Sequence, residues 1–417
     1  MEKFDFLKLF KHDTQIKLLI ELINDPNFDN NICLQNLNGS LQSIIAASTI
    51  TNTNVNHLFV LDNLEDALYF LDDLNNLNTD LAPNLFPSSE RIKKGDNNVI
   101  LERINLLNNL VHQKKTCTIS YPEAIKERII NKKDFTKNKI KLKIGDQIDL
   151  ETLIDKLNEF NFKNTNFVLE PGDFSVRGFI IDIFSYSNDL PYRLILDDNS
   201  IDEIKSFTTE NQTSTHDLKE IDVIGNIEQE LTTFKKTNLF SYLHKNTIIW
   251  ISNYNLLFSD IDNEQTHVPN NILKQKISEN HCIYMGNSPE NNNMRKIQFE
   301  SSNQPVFNKK FEILINNLND YKNKKYKNII TVSSENQMKR LINIFKNYLH
   351  LVELVYSRNS LKEGFIDNNN RILVYTDHQI FERHHQYKSK RIYKTGGVIH
   401  LKDLTNLKKG DYVTHFD

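Results

Sequence analysis

Apolar residues recur along this chain with two different periods, and the change from one to the other marks its organisation. Ile32 to Leu37 and His57 to Leu61 are apolar runs of strand length. Between them, Ile44, Ile45, Ala46 and Ala47 fall in a helix opened by Ser40. After the second run, Asp62 can cap a helix with Glu65 three residues on, and Leu64, Ala67, Leu68, Leu71 and Leu74 then share one face. Thr116 to Ser120 reads as a further strand, followed by a helix from Pro122 to Ile130 with proline in its first turn. Strands alternating with helices imply a parallel sheet with covering helices. The expected domain is α/β, its first part about 1–115 and its second about 208–305. The clearest buried strand of the second part is Thr247 to Ile251, whereas Asp262 to Asn280 is polar and reads as a surface loop.

A different pattern, that of an antiparallel meander, holds from Leu169 to Phe207. Pro171-Gly172-Asp173 supplies a turn, and Phe174 to Phe184 reads as one long strand with Gly178 inside it. A loop from Ser185 to Pro191 leads to a strand from Tyr192 to Leu196, and Asp197 to Ser200 forms a hairpin connection into Ile201 to Phe207. A helix at about 149–160 presents Leu150, Leu153, Ile154 and Leu157 to that sheet. The meander occupies roughly 135–207, entered by the basic stretch Lys132 to Lys143, within a domain placed at 116–207. A third unit at 306–381 shows strands at Asn328 to Val332, Leu351 to Tyr356 and Arg371 to Tyr375, and a helix opened by Ser334 with Gln337. It reads as a small α/β domain. Residues 382–397 are polar and basic and read as a linker.

The order of parts in the meander is more specific than its periodicity. E-P-G-x-F-S-V-R-G, then I-D-I-F, then L-P-Y-R, then D-x-x-I-D-x-I-x-x-F resembles the domain shared by the excision repair protein UvrB and the transcription-repair coupling factors. In that family the domain docks on UvrA. The segment from Leu404 to Asp417 contains Gly410-Asp411-Tyr412-Val413-Thr414-His415-Phe416-Asp417. It is similar to the first strand of the RNA-polymerase-interacting domain of the coupling factors, a segment that UvrB lacks. The resemblance implies a multidomain α/β chain: a degenerate UvrB-like P-loop-type fold, an inserted β-meander and helix domain, a small α/β domain, and at 398–417 the first strand of a β-rich domain.

Composition bounds this reading without redirecting it. A length of 417 residues leaves room for two to four domains, and 39% hydrophobic with 25% charged residues fits a globular protein. A net charge of −3 gives no global attraction to nucleic acid. Cys33, Cys117 and Cys282 lie far apart without a CxxC pair, so neither a disulfide framework nor a zinc site is expected, and a cytoplasmic location is the default. No long apolar run of membrane-spanning length is present.

The candidate chemistry begins with a loss. A P-loop needs a glycine-rich turn, a lysine for the terminal phosphates and a Ser or Thr for magnesium. At the matching place stands Leu37-Asn38-Gly39-Ser40-Leu41-Gln42-Ser43, with one glycine and no lysine. The strand Thr247 to Ile251 looks like the one preceding the magnesium-binding and water-activating carboxylates, yet Ser252-Asn253-Tyr254 follows it. No cofactor or metal residue is therefore assigned; ATP and magnesium belong, by resemblance, to a motor beyond this chain. His378, His384 and His385 are read as part of a solvated basic stretch, and Tyr375 to Phe381 as structural.

Arg177 and Arg193 are the best site candidates, since guanidinium groups on a rigid sheet suit bidentate recognition of carboxylates. By resemblance, both match positions that contact UvrA. The competing reading is a solvated strand residue paired with a neighbouring acid such as Asp182 or Asp197. Asp197 stands four positions after Arg193, where some relatives carry Phe, so its contact with the partner is open. The resemblance implies recruitment of UvrA where RNA polymerase has stalled, with a complete protein that displaces polymerase through an ATP-dependent translocase on double-stranded DNA. A UvrB-type excision-repair helicase subunit is the alternative, and a stand-alone polymerase-binding adaptor a third.

Overall fold

Seven short segments come together as one parallel sheet. The computed structural model describes residues 5–382 apart from 29, 78–80, 93–96, 114, 228–233, 260–265, 290–292, 306, 308–309 and 357–360. The linker and the Gly410-to-Asp417 motif lie outside the described residues. The described residues divide into two units, one from within 5–91, 102–138 and 227–382, the other from within 92–101 and 139–226.

In the first unit the sheet order is Arg295–Gln298, Ile32–Gln35, Cys282–Asn287, Thr247–Asn253, Asn56–Val60, Cys117–Ser120 and Pro83–Leu85. Every neighbouring pair is parallel. Strands covered on both faces need continuous apolar runs, which is why ICLQ, NHLFV and TIIWI carry no alternation. Trp250 and Phe59 are fully buried with rings 5.0 Å apart, and Phe59 lies 5.0 Å from Phe70 on the helix Leu64–Asn76. Cys117–Ser120, expected at the start of the second domain, is a strand of this sheet.

A second sheet in the same unit has the order Ser301–Ser302, Phe365–Asp367, Ile372–Thr376, Lys327–Val332 and Glu353–Tyr356. Its last three strands are parallel and its first three antiparallel. Leu314 and Leu318 of the helix Phe311–Asn323 and Leu341 of the helix Glu335–Ile344 pack on it.

Three local expectations are corrected. The helix Leu64–Asn76 is capped by Asn63, whose side-chain oxygen accepts from Asp66 N–H while its amide donates to the Asp66 carboxylate. Asn offers a cap as good as Asp, and the box closes one residue later than Asp62 with Glu65. The helix after Pro122 ends at Ile125, because Ile129–Ile130 pairs with Lys236–Thr237 as a short antiparallel ladder. The polar stretch before Asn280 contains the helix Asn270–Ser278, which buries only Leu273 and Ile277. Two apolar residues four apart suffice to seat it, too few to stand out in a sequence.

The second unit holds a six-stranded sheet in the order Ser214–Leu218, Ser200–Phe207, Tyr192–Asp197, Ile180–Ile183, Asp173–Arg177 and Lys163–Asn164. Only the last pair is parallel. The helix Leu150–Glu159 lays Leu153 and Leu157 on Phe174, Ile181, Ile183, Tyr192, Leu194, Ile201 and Ile204, with Leu150 and Ile154 at the edge. Asp149 caps it by accepting Thr152 N–H. The sheet continues past Phe207 to Leu218, and Glu220–Val223 then pairs with Ile140–Lys143. Mixed α/β architecture, with one parallel sheet and separate antiparallel strands, is thus what the chain adopts. Among the described residues no helix is long and apolar enough to cross a membrane, and no cluster of His, Cys, Asp or Glu could hold a metal ion.

Candidate functional site

The outward face of the six-stranded sheet gathers the charged side chains that the core face excludes. Directly opposed residues of an antiparallel pair share a face. Ser175 opposes Asp182, Asp182 opposes Arg193, Arg193 opposes Lys205, and Lys205 opposes Asp217. The neighbouring row is Arg177, Ile180, Ile195 and Glu203. Alternate positions, Phe174, Ile181, Ile183 and Leu194, point to the helix.

Asp182 is the centre of this surface. Its carboxylate is fully buried, and Arg193 grips it with Nε at 2.7 Å from Oδ1 and Nη2 at 2.9 Å from Oδ2. The Arg177 guanidinium reaches the same Oδ2. Arg193 also donates to the Gln212 carbonyl at 3.2 Å and lies 4.5 Å over the Phe207 ring. Its hydrogen bond to Asp182 raises its already high pKa. The Arg193 side chain is 16% exposed and that of Arg177 is 41% exposed. Arg177 therefore keeps donors free for solvent or a partner, whereas Arg193 presents mainly its edge.

The expected long strand from Phe174 to Phe184 is two strands. Gly178 takes φ +59° and turns the chain between Asp173–Arg177 and Ile180–Ile183. Glycine adopts that conformation at no steric cost, so the glycine inside the apolar run marks a hairpin. Arg177 is therefore at a strand end, beside Phe179, which is 64% exposed at the hairpin tip. Asp197 ends its strand, exposed, next to the turn at Asp198, and the ladder shifts register between Ile195 and Leu196. Arg177 and Arg193 are brought together on Asp182, while no contact ties Asp197 to them. Sequence reading had Asp182 only as one possible partner; its position opposite Arg193 becomes legible once the hairpin at Gly178 is recognised.

The strand-turn-helix at Ile32–Gln35 and Leu41–Asn52 is built differently from a phosphate site. Gly39 adopts φ +53°, and the Ser40 hydroxyl, expected to cap the helix, makes no capping bond. Ser40 faces the loop before Phe365 instead: its N–H donates to the Glu363 carbonyl at 3.2 Å and its Oγ accepts Glu363 N–H at 3.0 Å. Lys362 enters beside it. Its Nζ sits 2.8 Å from Asp66 and 4.8 Å from the Tyr69 ring, and its N–H donates to Asp73 at 2.8 Å. Burial pushes the Asp73 carboxyl up to about 6, against the opposing hydrogen bonds from Ser40, Lys362 and Ser43. The space left among Gly39, Ser40, Asp66, Asp73 and Glu363 is about 90 Å³, room for a few water molecules.

After Thr247–Asn253, Asn253 accepts Leu256 N–H and caps a short helix. His378 is not solvated. It is 8% exposed, and its Nε2 lies 2.6 Å from the Lys362 carbonyl, which can only accept and so fixes the proton on that nitrogen. His384 and His385 lie outside the described residues. Asp377 accepts from the Ser333 hydroxyl at 2.7 Å. Tyr375 to Phe381 thus serves packing and loop support.

Comparison with known proteins places the arginine face inside a matched segment. The UvrB interaction domain family matches residues 140–228. The transcription-repair-coupling factor of Bacillus subtilis is 27% identical over 194 residues, 46% of this chain and 16% of that protein. That of Staphylococcus haemolyticus is 22% identical over 86% of this chain and 38% of its own length, and one from Staphylococcus aureus is 21% identical over the same shares. The chain therefore spans well under half the length of these relatives. With the interaction domain matched and the similarity extending over most of the chain, it is a relative of the transcription-repair-coupling factors and corresponds to their N-terminal region.

Proposed function

We propose that this chain is the recruitment part of a transcription-repair-coupling factor, and that it engages UvrA through the outward face of its six-stranded sheet. The observation that carries this reading is the pair Arg177 and Arg193 fixed on the buried Asp182 within the matched 140–228 segment. Two guanidinium groups held by one buried carboxylate are oriented before a partner arrives, which lowers the ordering cost of binding. Ile180, Ile195 and Phe179 supply apolar surface beside them, and Asp197 makes the rim polar. Acidic side chains on UvrA are the complement.

The same chain binds no ATP at its degenerate P-loop-type turn. Phosphate requires available cations and free N–H groups, and here the Lys362 ammonium is held by Asp66, Asp73 adds a carboxyl group, and Ser40 N–H is already engaged by Glu363. That arrangement disfavours the UvrB-type helicase alternative. ATP and magnesium, double-stranded DNA and RNA polymerase are assigned to regions of a complete protein beyond those described.

Titration calorimetry of the chain with UvrA tests the recruitment reading. Micromolar or tighter binding that falls at least tenfold in Arg177→Ala, with folding intact, is the expected result. Unchanged affinity in a folded Arg177→Ala, Arg193→Lys double variant sinks the residue-level claim.

A further inference from the structure

Residues Leu361 to Gly364 bridge the two sheets of the first unit, and their hydrogen bonds fall into two sets. On the side of the five-stranded sheet, His378 Nε2–H donates to the Lys362 carbonyl, and Gly364 N–H donates to the Gln379 side chain at 2.8 Å. On the side of the seven-stranded sheet, Ser40, Asp66 and Asp73 take the Glu363 backbone, the Lys362 ammonium and the Lys362 N–H. The second set is polar and small. Asp66, Tyr69 and Asp73 lie on one face of the helix Leu64–Asn76, at spacings of three and four residues; Asp66 and the Tyr69 ring receive the ammonium, and Asp73 the backbone N–H. Glu363 contributes only its backbone to Ser40, and the Gly364 carbonyl lies so close to Gly39 that any side chain there would collide with it.

The contacts of Lys362 and Glu363 can open without unfolding either sheet, because they are hydrogen bonds that water can replace, while the neighbouring Leu361 side chain, 2% exposed, stays packed. We propose that Lys362–Gly364 is a reversible latch, a resident lysine-bearing segment held at the start of the helix Leu41–Asn52 that joins the five-stranded sheet to the seven-stranded one beside the Asn38–Ser301 and Asp13–Asn370 contacts. It works as an intramolecular switch, and this inference does not depend on UvrA binding.

Native-state hydrogen exchange of the full chain tests it. The Ser40, Lys362 and Glu363 amides are expected to exchange with a common opening constant, at least tenfold larger than that of Ile249 in one sheet and Ile330 in the other. Lys362→Ala should raise that opening constant about tenfold for all three while leaving Ile249 and Ile330 unchanged. Gly39→Ala is the second variant, with the fluorescence of Trp250 reporting that the seven-stranded sheet remains folded. Exchange of the three amides only with global unfolding, or independent exchange of Ser40 and Glu363, overturns the latch.

Discussion

Arg193 lies across Asp182 with two nitrogens on two carboxylate oxygens, while its plane rests 4.5 Å over Phe207. One face of the guanidinium is thus committed to the protein itself. Arg177, approaching the same carboxylate from the hairpin end, is more than twice as exposed. Two arginines that look equivalent in the sequence therefore divide between support and contact. The support role adds to the interface by holding Asp182, which in turn orients Arg177.

Truncation should separate these roles. Arg193→Ala leaves a buried carboxylate with one partner instead of two, so a loss of about 2–3 kcal/mol of stability is expected, toward the lower end for buried pairs because Arg177 remains. Arg177→Ala should cost less than ~1 kcal/mol, as exposed ion pairs do. Urea unfolding of the two variants of the full chain checks the order. Equal losses would mean that the difference in exposure has no energetic meaning.

Asp182→Asn keeps the shape of the side chain and removes its charge. Both arginines then lose their ion pair, and the amide nitrogen replaces one of the two acceptor oxygens with a donor. Stability should fall by about 1.5–3 kcal/mol, what a hydrogen bond to a charged group contributes. Affinity for UvrA should fall as well, although Asp182 is fully covered and touches nothing outside the chain. Calorimetry on the folded variant decides: full affinity would show that the arginines need no positioning.

The fold was legible where apolar runs were long and hidden where a few polar atoms decided the outcome. TIIWI and the Leu150-Leu153-Ile154-Leu157 stripe declare a buried strand and an amphipathic helix by themselves, because burial of that much surface dominates local choices. Gly178 was visible, but its positive φ was not, so a hairpin read as a single strand. The helix at Asn270–Ser278 buries too little to show. Arg177 and Arg193 could be singled out by spacing, and their common partner could not, since it depends on the register between Ile180–Ile183 and Tyr192–Asp197. Lys362 was out of reach altogether. Its receptor stands nearly three hundred positions away on another sheet's helix, and only the tertiary fold brings them together.

His57 predicts how the seven-stranded sheet responds to acid. It is fully enclosed, accepts the Trp250 indole N–H at 3.2 Å, and its pKa is lowered to about 3 by burial, with Lys115 adding to the effect. The folded pKa is below the unfolded 6.5, so the associated stability is present above 6.5 and is lost as pH falls toward 3. Trp250 fluorescence against denaturant at pH 7, 5.5 and 4.5 should show a falling midpoint. In His57→Gln the fall should be much shallower, from a lower starting point. Parallel slopes in the two proteins would remove His57 from the account.

Asp73 predicts a dependence of opposite sign. Its carboxyl is raised from 3.8 to about 6 by burial, beside Asp72 and facing Lys362, Asp66 and the hydroxyls of Ser40 and Ser43. Because the folded pKa is the higher, its contribution is complete below about 3.8 and is lost as pH rises through 6. Each unit of that shift corresponds to about 1.4 kcal/mol. Asp73→Asn cannot ionise, can still accept Lys362 N–H, and can offer its amide to the Ser43 hydroxyl. The variant should therefore be relatively more stable at pH 7 than at pH 4.5, with the difference between variant and parent developing between pH 4 and 6. The two pH effects are separable because His57 is unchanged in this variant and its slope cancels in the comparison. A difference that is constant across that range would show that Asp73 ionises in the folded chain as freely as in the unfolded one, and that its burial carries no cost in charge.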